Sequence, residues 1–260
     1  MPTYKVNKVF SSLVMVGAIA ANVYSSNVLA EDWTHQIEPY AMITSIEGDA
    51  SVGRVTGVDV DVNFDTILDN LESAAMVHYE GHHSSGWGVI FDYGYMDLGG
   101  KKRNADGSSI NAEVRQGVLE LHAVYRNTLA NGYLDYFGGV RWWDNDVEVD
   151  LTVAALPGDG ISKEVKADWF DPVVGVRWLR KIDEDWTFLA QIDAGGFGIE
   201  SDFTSSVQTG INYKISDLMT LDVKYKATWV DFEEGTTGQP GYFQYDTVTH
   251  GPIIGLIFNF

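Results

Sequence analysis

The feature that most restricts this chain is a two-residue alternation of oily and polar side chains that returns along most of its length. Across 221–229, Leu221, Val223, Tyr225, Ala227 and Trp229 fall on one face, and Asp222, Lys224, Lys226 and Thr228 on the other. Successive side chains of a strand point to opposite faces, so such a segment is a strand between two unlike environments. The pattern recurs across 119–125, 174–178, 187–194 and 207–215. A soluble sandwich shows it once or twice; here it governs the chain. About ten strands are expected, near 35–47, 74–83, 87–98, 114–128, 133–148, 169–181, 186–199, 204–216, 219–232 and 243–260, each near the length a tilted membrane strand needs.

The connections between them alternate in length. Short ones fall at 83–86, 130–132, 183–185 and 217–218; longer ones, rich in Gly, Asp, Ser and Pro, at 99–113, 149–168 and 233–242. The 200–203 connection is short where a long one is expected. Short turns on one side and long loops on the other is outer-membrane barrel geometry. Beyond the first thirty residues no stretch approaches the roughly 18 apolar residues of a membrane helix. A membrane-spanning form must then be a closed sheet, which leaves no backbone group unpaired in lipid. The expected fold is all-β: a closed antiparallel transmembrane β-barrel of about ten strands, within eight to twelve. One stretch breaks the period. Phe64, Ile67, Leu68 and Leu71 have helical spacing, with Asn63 or Asp65 as cap, so a short helix is expected between strands 1 and 2. It either lies on the outer loops or folds into the lumen as a plug.

Both chain ends carry signals. Lys5 and Lys8 precede a mostly apolar, uncharged run at 9–21, and Val28-Leu29-Ala30 offers small residues for cleavage. Residues 1–30 are expected to be a cleaved secretory leader, and 31–260 the barrel domain. Losing Lys5 and Lys8 leaves 15 basic residues of the 17 against 37 acidic ones, a net charge of −22, which repels nucleic-acid phosphates. The absence of Cys suits passage through an oxidising periplasm without disulfides. At the other end Ile254, Leu256, Phe258 and Phe260 alternate to the last residue. With Gly255, Phe258 and Phe260 this resembles the signal read by the outer-membrane assembly machinery. Aromatics near expected strand ends, Trp33, Trp87, Tyr95, Tyr133, Trp142, Trp143, Trp169, Trp186 and Trp229, suit girdles at the two bilayer interfaces.

Several blocks carry a family resemblance. Asp193-Ala194-Gly195-Gly196-Phe197-Gly198-Ile199-Glu200-Ser201-Asp202 is similar to a block in poorly characterised proteobacterial outer-membrane β-barrel proteins, small porin-like barrels. So are Asp171-Pro172-Val173-Val174-Gly175-Val176-Arg177, Gly251-Pro252-Ile253-Ile254-Gly255-Leu256, and the 64–71 helix with its strand pair ending at Tyr93-Gly94-Tyr95. The resemblance implies a barrel in the cell outer membrane and brings no catalytic residues. The glycines themselves point to a bulged strand end or tight turn. A phosphate loop would need a helix after them, and the segment 203–215 has the alternation of a strand instead.

The polar faces, turned inward, gather both signs of charge: Glu38, Glu80, Asp92, Glu120, Asp135, Asp171, Asp193 and Asp222 against Arg126, Arg141, Arg177, Lys214, Lys224 and Lys226. A barrel of about ten strands is narrow enough for these to meet, and buried charges must pair. The leading expectation is an ionic core; the alternative is a narrow path for small solutes. His78, Glu80 and His82 share one strand face, with Asp92 and His122 expected nearby, so this set either holds a metal or proton site or belongs to a hydrogen-bonded lumen network. No Gly-x-Ser-x-Gly elbow is present, and an outer-membrane hydrolase would need a Ser, a His and a carboxylate converging at one rim. Glu148, Asp150, Asp159, Glu164, Asp168, Glu233 and Glu234 on the outer loops either attract divalent cations near lipopolysaccharide or form a solvated face. The functional expectation is a non-enzymatic, monomeric integral barrel in a structural or surface-binding role, without cofactor. Its partners would be outer-membrane lipid, lipopolysaccharide and the assembly machinery. A porin-like channel and a hydrolase are the alternatives.

Overall fold

The computed structural model describes residues 32–103, 109–152 and 161–260; the expected leader lies outside them. The elements are β1 (Trp33–Met42), β2 (Ser45–Val52), β3 (Val55–Val62), α1 (Phe64–Asn70), β4 (Leu71–His83), β5 (Trp87–Arg103), β6 (Ser109–Leu129), β7 (Gly132–Thr152), β8 (Ile161–Lys181), β9 (Trp186–Gly195), β10 (Phe203–Lys214), β11 (Met219–Glu234) and β12 (Phe243–Asn259). β1 and β4 to β12 succeed one another round a ring that the β1–β12 pairing closes, a barrel of ten antiparallel wall strands. The closing seam runs from Gln36 opposite Asn259 to Met42 opposite Ile253. His35 and Phe260 exchange backbone hydrogen bonds of 2.9 and 3.0 Å there, and Gln36 Nε2 donates to Asn259 Oδ1 at 2.8 Å.

The alternation has the expected consequence. Val174, Val176, Ile192, Val207, Val223 and Ile254 are exposed on the outside, while Arg177, Asp193, Ser206, Asp222 and Lys224 beside them are buried. Trp87 against Tyr125 (5.2 Å between rings) and Trp186 against Tyr213 (4.7 Å) mark the rim with the short turns. Trp142 stacked on Phe170 (5.9 Å), with Phe203 and Trp229 exposed, marks the other. Between the two bands a strand runs for about ten residues, the length that crosses a bilayer at a tilt. A closed sheet with an apolar, aromatic-edged belt and a polar inside is built for the outer membrane, and that is where the chain resides.

Three features differ from the expectations. First, β12 outruns β1, and its outer part is paired instead by β2, from Phe243 opposite Val52 to His250 opposite Ser45. The chain breaks at residues 43–44 and returns as β3, so the expected strand 35–47 is two strands and α1 comes after β3. The helix still lies between the first and second wall strands. Asn63 Oδ1 accepts from the Thr66 backbone N–H at 3.0 Å, and Ile67 is buried against Ile46 and Met96 at the outer mouth. Second, β6, β7 and β8 are 21 residues each, so much of the expected loops 99–113 and 149–168 is sheet. The alternation in fact continues there, in Ile110, Ala112 and Val114 on β6 and in Val147, Val149 and Leu151 on β7, and the ladder of backbone hydrogen bonds continues with it.

Third, Trp143 and Trp169 are not girdle residues. They are only 2% and 1% exposed, inside the barrel with Val230, Phe232 and Phe243. β9 stops at Gly195 and β10 starts at Phe203, so beyond that turn no strand separates β8 from β11. Trp169 and Phe232 fill this notch, parallel and 3.9 Å apart between ring centres. Asp171 ties the turn down, accepting from Ser201 Oγ (2.8 Å), Ser201 N (3.1 Å) and Trp169 Nε1 (3.1 Å). The tight turn needs left-handed backbone at Gly196, Phe197 and Gly198 (φ 79°, 54° and 70°), which explains two of the glycines in the 193–202 block.

Candidate functional site

The strand registers set the charged side chains in rows. His78 lies opposite Asp92, Asp92 opposite Glu120, Glu120 opposite Arg141, and Arg141 opposite Asp171, one inward row across five strands. A second row, nearer the short turns, sets Arg126 opposite Asp135 and Asp135 opposite Arg177. Alternation alone aims these groups inward, and narrowness brings them together.

They form three linked clusters. In the first, Arg177 Nη2 donates to Glu80 Oε2 and to Asp135 Oδ2, both at 2.8 Å, and Nη1 donates to Glu80 Oε1. Arg126 adds a two-pronged contact to Asp135, each bond 2.8 Å. His82 Nε2 and His78 Nε2 lie 2.7 and 2.8 Å from the Glu80 oxygens, and His78 Nδ1 lies 2.9 Å from Asp92. In the second, the fully buried Arg141 reaches Glu120 (3.3 Å), Asp193 (3.2 Å) and Thr204 Oγ1 (3.0 Å). Asp193 also accepts from Ser206 Oγ and, at 2.9 Å, from Ser206 N. In the third, Lys224 Nζ lies 3.1 Å from Glu38 and 2.6 Å from Asp222. Gly255 makes room for the Glu38 carboxylate: a Cβ at 255 would run into that side chain.

Two ion pairs cross the barrel. Arg177 on β8 meets Glu80 on β4. Lys226 on β11 donates to Glu120 on β6 at 3.1 Å, and these strands stand five apart in the ring of ten, on opposite walls. Above this belt lies a cavity of about 670 Å3, part of it open to solvent, lined by Gly94, Met96 and Trp143 among others. A second, of about 450 Å3 including space open to solvent, lies among the charged groups, bordered by His78, His122 and Lys226.

Lys214 corrects the expected set. It ends β10 at the turn, where the lumen has already given way to water, and pairs with Asp217 at 2.7 Å; that hydrogen bond lowers the Asp217 pKa. His78, Glu80, His82 and Asp92 are brought into mutual contact, but His122 Nε2 is 3.8 Å from Glu120, its ring tilted against Phe137. Among the described residues no group of three His, Asp or Glu side chains is arranged to hold a metal ion. Of the outer acidic set, Glu148 faces Glu164 across β7–β8, Asp168 faces Asp144, and Glu233 and Glu234 end β11. Asp159 and the Asp150 side chain lie outside the described residues. Phe260 stacks on His35 at the closing seam (5.6 Å), and Phe258 pairs with Ile37 there. Near the short-turn rim His83 Nδ1 is 2.8 Å from Ser85 Oγ, and among the described residues no carboxylate bonds the His83 ring. Tyr40, which donates to Asp92 at 2.9 Å, and the buried hydroxyls of Ser201, Thr204 and Ser206 join the lumen network without having been expected in it. Inward position in the alternation marks Tyr40, Thr204 and Ser206, while Ser201 lies in the β9–β10 turn, where no such signal applies.

No family model matches the chain, and no curated protein does. Solved structures with the same fold exist. The translocator domain of autotransporter NalP from Neisseria meningitidis matches with a TM-score of 0.50 and 10% identity, over 99% of this chain and 97% of that one. The outer membrane protease OmpT from Escherichia coli matches with a TM-score of 0.50 and 11% identity, over 91% and 99%. At such identities the likeness is one of fold.

Proposed function

We propose that this protein is a non-conducting, non-enzymatic integral barrel. Its lumen is a structural ionic core, and its outer sheet is a surface for binding. The observation that carries this is the pair of cross-barrel salt bridges, Arg177–Glu80 and Lys226–Glu120, which join opposite walls where a pore would have to run. An ion moving down the axis would have to separate buried, mutually satisfied charges. Removing one member of a fully buried pair, which leaves the other uncompensated, costs about 3–5 kcal/mol. Long strands β6 to β8, hydrogen-bonded well past the upper aromatic band, support a role at the cell surface. Lipid and lipopolysaccharide surround the belt, the assembly machinery reads the Gly255–Phe258–Phe260 end, and the barrel works as a monomer.

Planar-bilayer recording of the purified protein tests the closed lumen. The expected trace has no discrete steps at either polarity. Reproducible steps of one unit size in the wild type would establish a pore and overturn the reading.

A further inference from the structure

The larger cavity owes its existence to a missing side chain. On β5 Asp92, Gly94 and Met96 share the inward face, and a Cβ placed on Gly94 would meet only the Tyr40 hydroxyl, at 3.8 Å. The walls around that gap are apolar and rich in methionine: Met42, Met76, Met96, Val118 and Ile253. Thioether side chains adapt to irregular apolar guests. Trp143 also lines the space, is 2% exposed, and has an Nε1 that finds no acceptor among the described residues. A buried N–H left without an acceptor is destabilising, and an oxygen placed in the cavity would supply one. The floor is set by Asp92, Glu120 and Lys226, two negative groups to one positive. Lys226 is already taken by Glu120, so the floor offers no unpaired cation to receive a carboxylate or phosphate head.

The backbone ladder between β1 and β4 stops beside the cavity. β1 and β4 are paired from Trp33 opposite His83 to Pro39 opposite Val77, and no further. Beyond that point Met42 and Thr44 on one lip and Met76 on the other all line the cavity. Gly94 is seven positions beyond Trp87, which sits at the short-turn rim. A tilted strand crosses the bilayer in about 9–11 residues, so the end of this ladder faces the outer leaflet.

We propose that this cavity accepts a single acyl chain whose head is joined through a neutral ester or amide carbonyl. The chain enters from the outer leaflet between β1 and β4, beyond the end of their ladder, and the carbonyl oxygen accepts from Trp143 Nε1. The site stands whether or not the barrel conducts.

Fluorescence quenching tests it in the full-length barrel, reconstituted into phosphatidylcholine vesicles and titrated with methyl 11-bromoundecanoate. Gly94→Leu fills the cavity and keeps all eight tryptophans. The wild type is expected to show a saturable quenching phase above the linear quenching of lipid-facing tryptophans. Gly94→Leu and Trp143→Phe should lose that phase, while Gly94→Ala should keep it. Heat-modifiable gel mobility reports that each variant is folded, and Val118→Phe fills the same space should Gly94→Leu fail to fold. No saturable phase in the wild type, or one unchanged in the cavity-filled variants, overturns the site. A water-soluble ester, methyl 5-bromopentanoate, is added outside the vesicles as a second arm. Saturable quenching by the short ester alone overturns the bilayer route.

Discussion

At the scale of single residues, the lumen shows why an ionic interior needs many partners per charge. Arg177 spreads its donors over Glu80 and Asp135, and Glu80 is met from its other side by His78 and His82. A planar fork serves two carboxylates at once, which a point charge does poorly. Arg177→Met should therefore lower unfolding stability by about 3–5 kcal/mol, because Glu80 stays buried while losing its cation. Arg177→Lys, which keeps the charge but not the fork, should lose less. Urea unfolding in lipid vesicles measures both; a loss below about 1 kcal/mol for Arg177→Met would mean the network relaxes around the gap. Gly255 carries two duties at one position. It belongs to the terminal pattern expected to serve assembly, and its bare backbone admits the Glu38 carboxylate.

At the scale of elements, strand length decides where the barrel is open and where it is shut. β9 and β10 end low, which leaves β8 and β11 facing each other across a notch that Trp169 and Phe232 fill. Trp169→Ala removes this packing and a hydrogen bond to Asp171, with an expected loss of about 3–5 kcal/mol. The lower ionic belt should survive, so limited proteolysis should cut first within 161–172 and 232–242. Cleavage appearing first at the short-turn rim would show that the aromatic cluster does not hold the upper walls. The β2–β3 hairpin works differently. β2 continues β1 along β12 in the same register and β3 takes its other edge, while the ladder between β1 and β4 goes no further than Pro39 opposite Val77.

At the scale of the whole molecule, a lipid-facing belt and an ionic interior are the two faces of one sheet. Arginine on the outer face should then cost according to depth. Val207→Arg, near the middle of β10, is expected to destabilise by about 2–4 kcal/mol, and Ile215→Arg, at the rim, by about 0–1 kcal/mol. Equal penalties in vesicle-based unfolding would mean the belt does not sit in lipid as described.

The sequence by itself determined the barrel, because a period of two with unlike faces dictates which side of every wall strand meets lipid. The membrane-crossing parts of the wall strands could be placed from Leu119, Val174 or Leu221 and their neighbours. The same period runs on through Val147, Val149 and Leu151 of β7 and through Val58, Val60 and Val62 of β3, but the Gly, Asp and Ser residues around these segments give them the composition of loops, and only strand pairing shows them to be sheet. Nor could the sequence say that Trp143 and Trp169 point inward, since an aromatic near a strand end suits a girdle equally well. Ring closure decided the rest. Only when the sheet curls shut do Lys226 and Glu120, far apart along the chain, face each other across the lumen, and only then does the bare Gly94 become a cavity rather than a gap in a pattern.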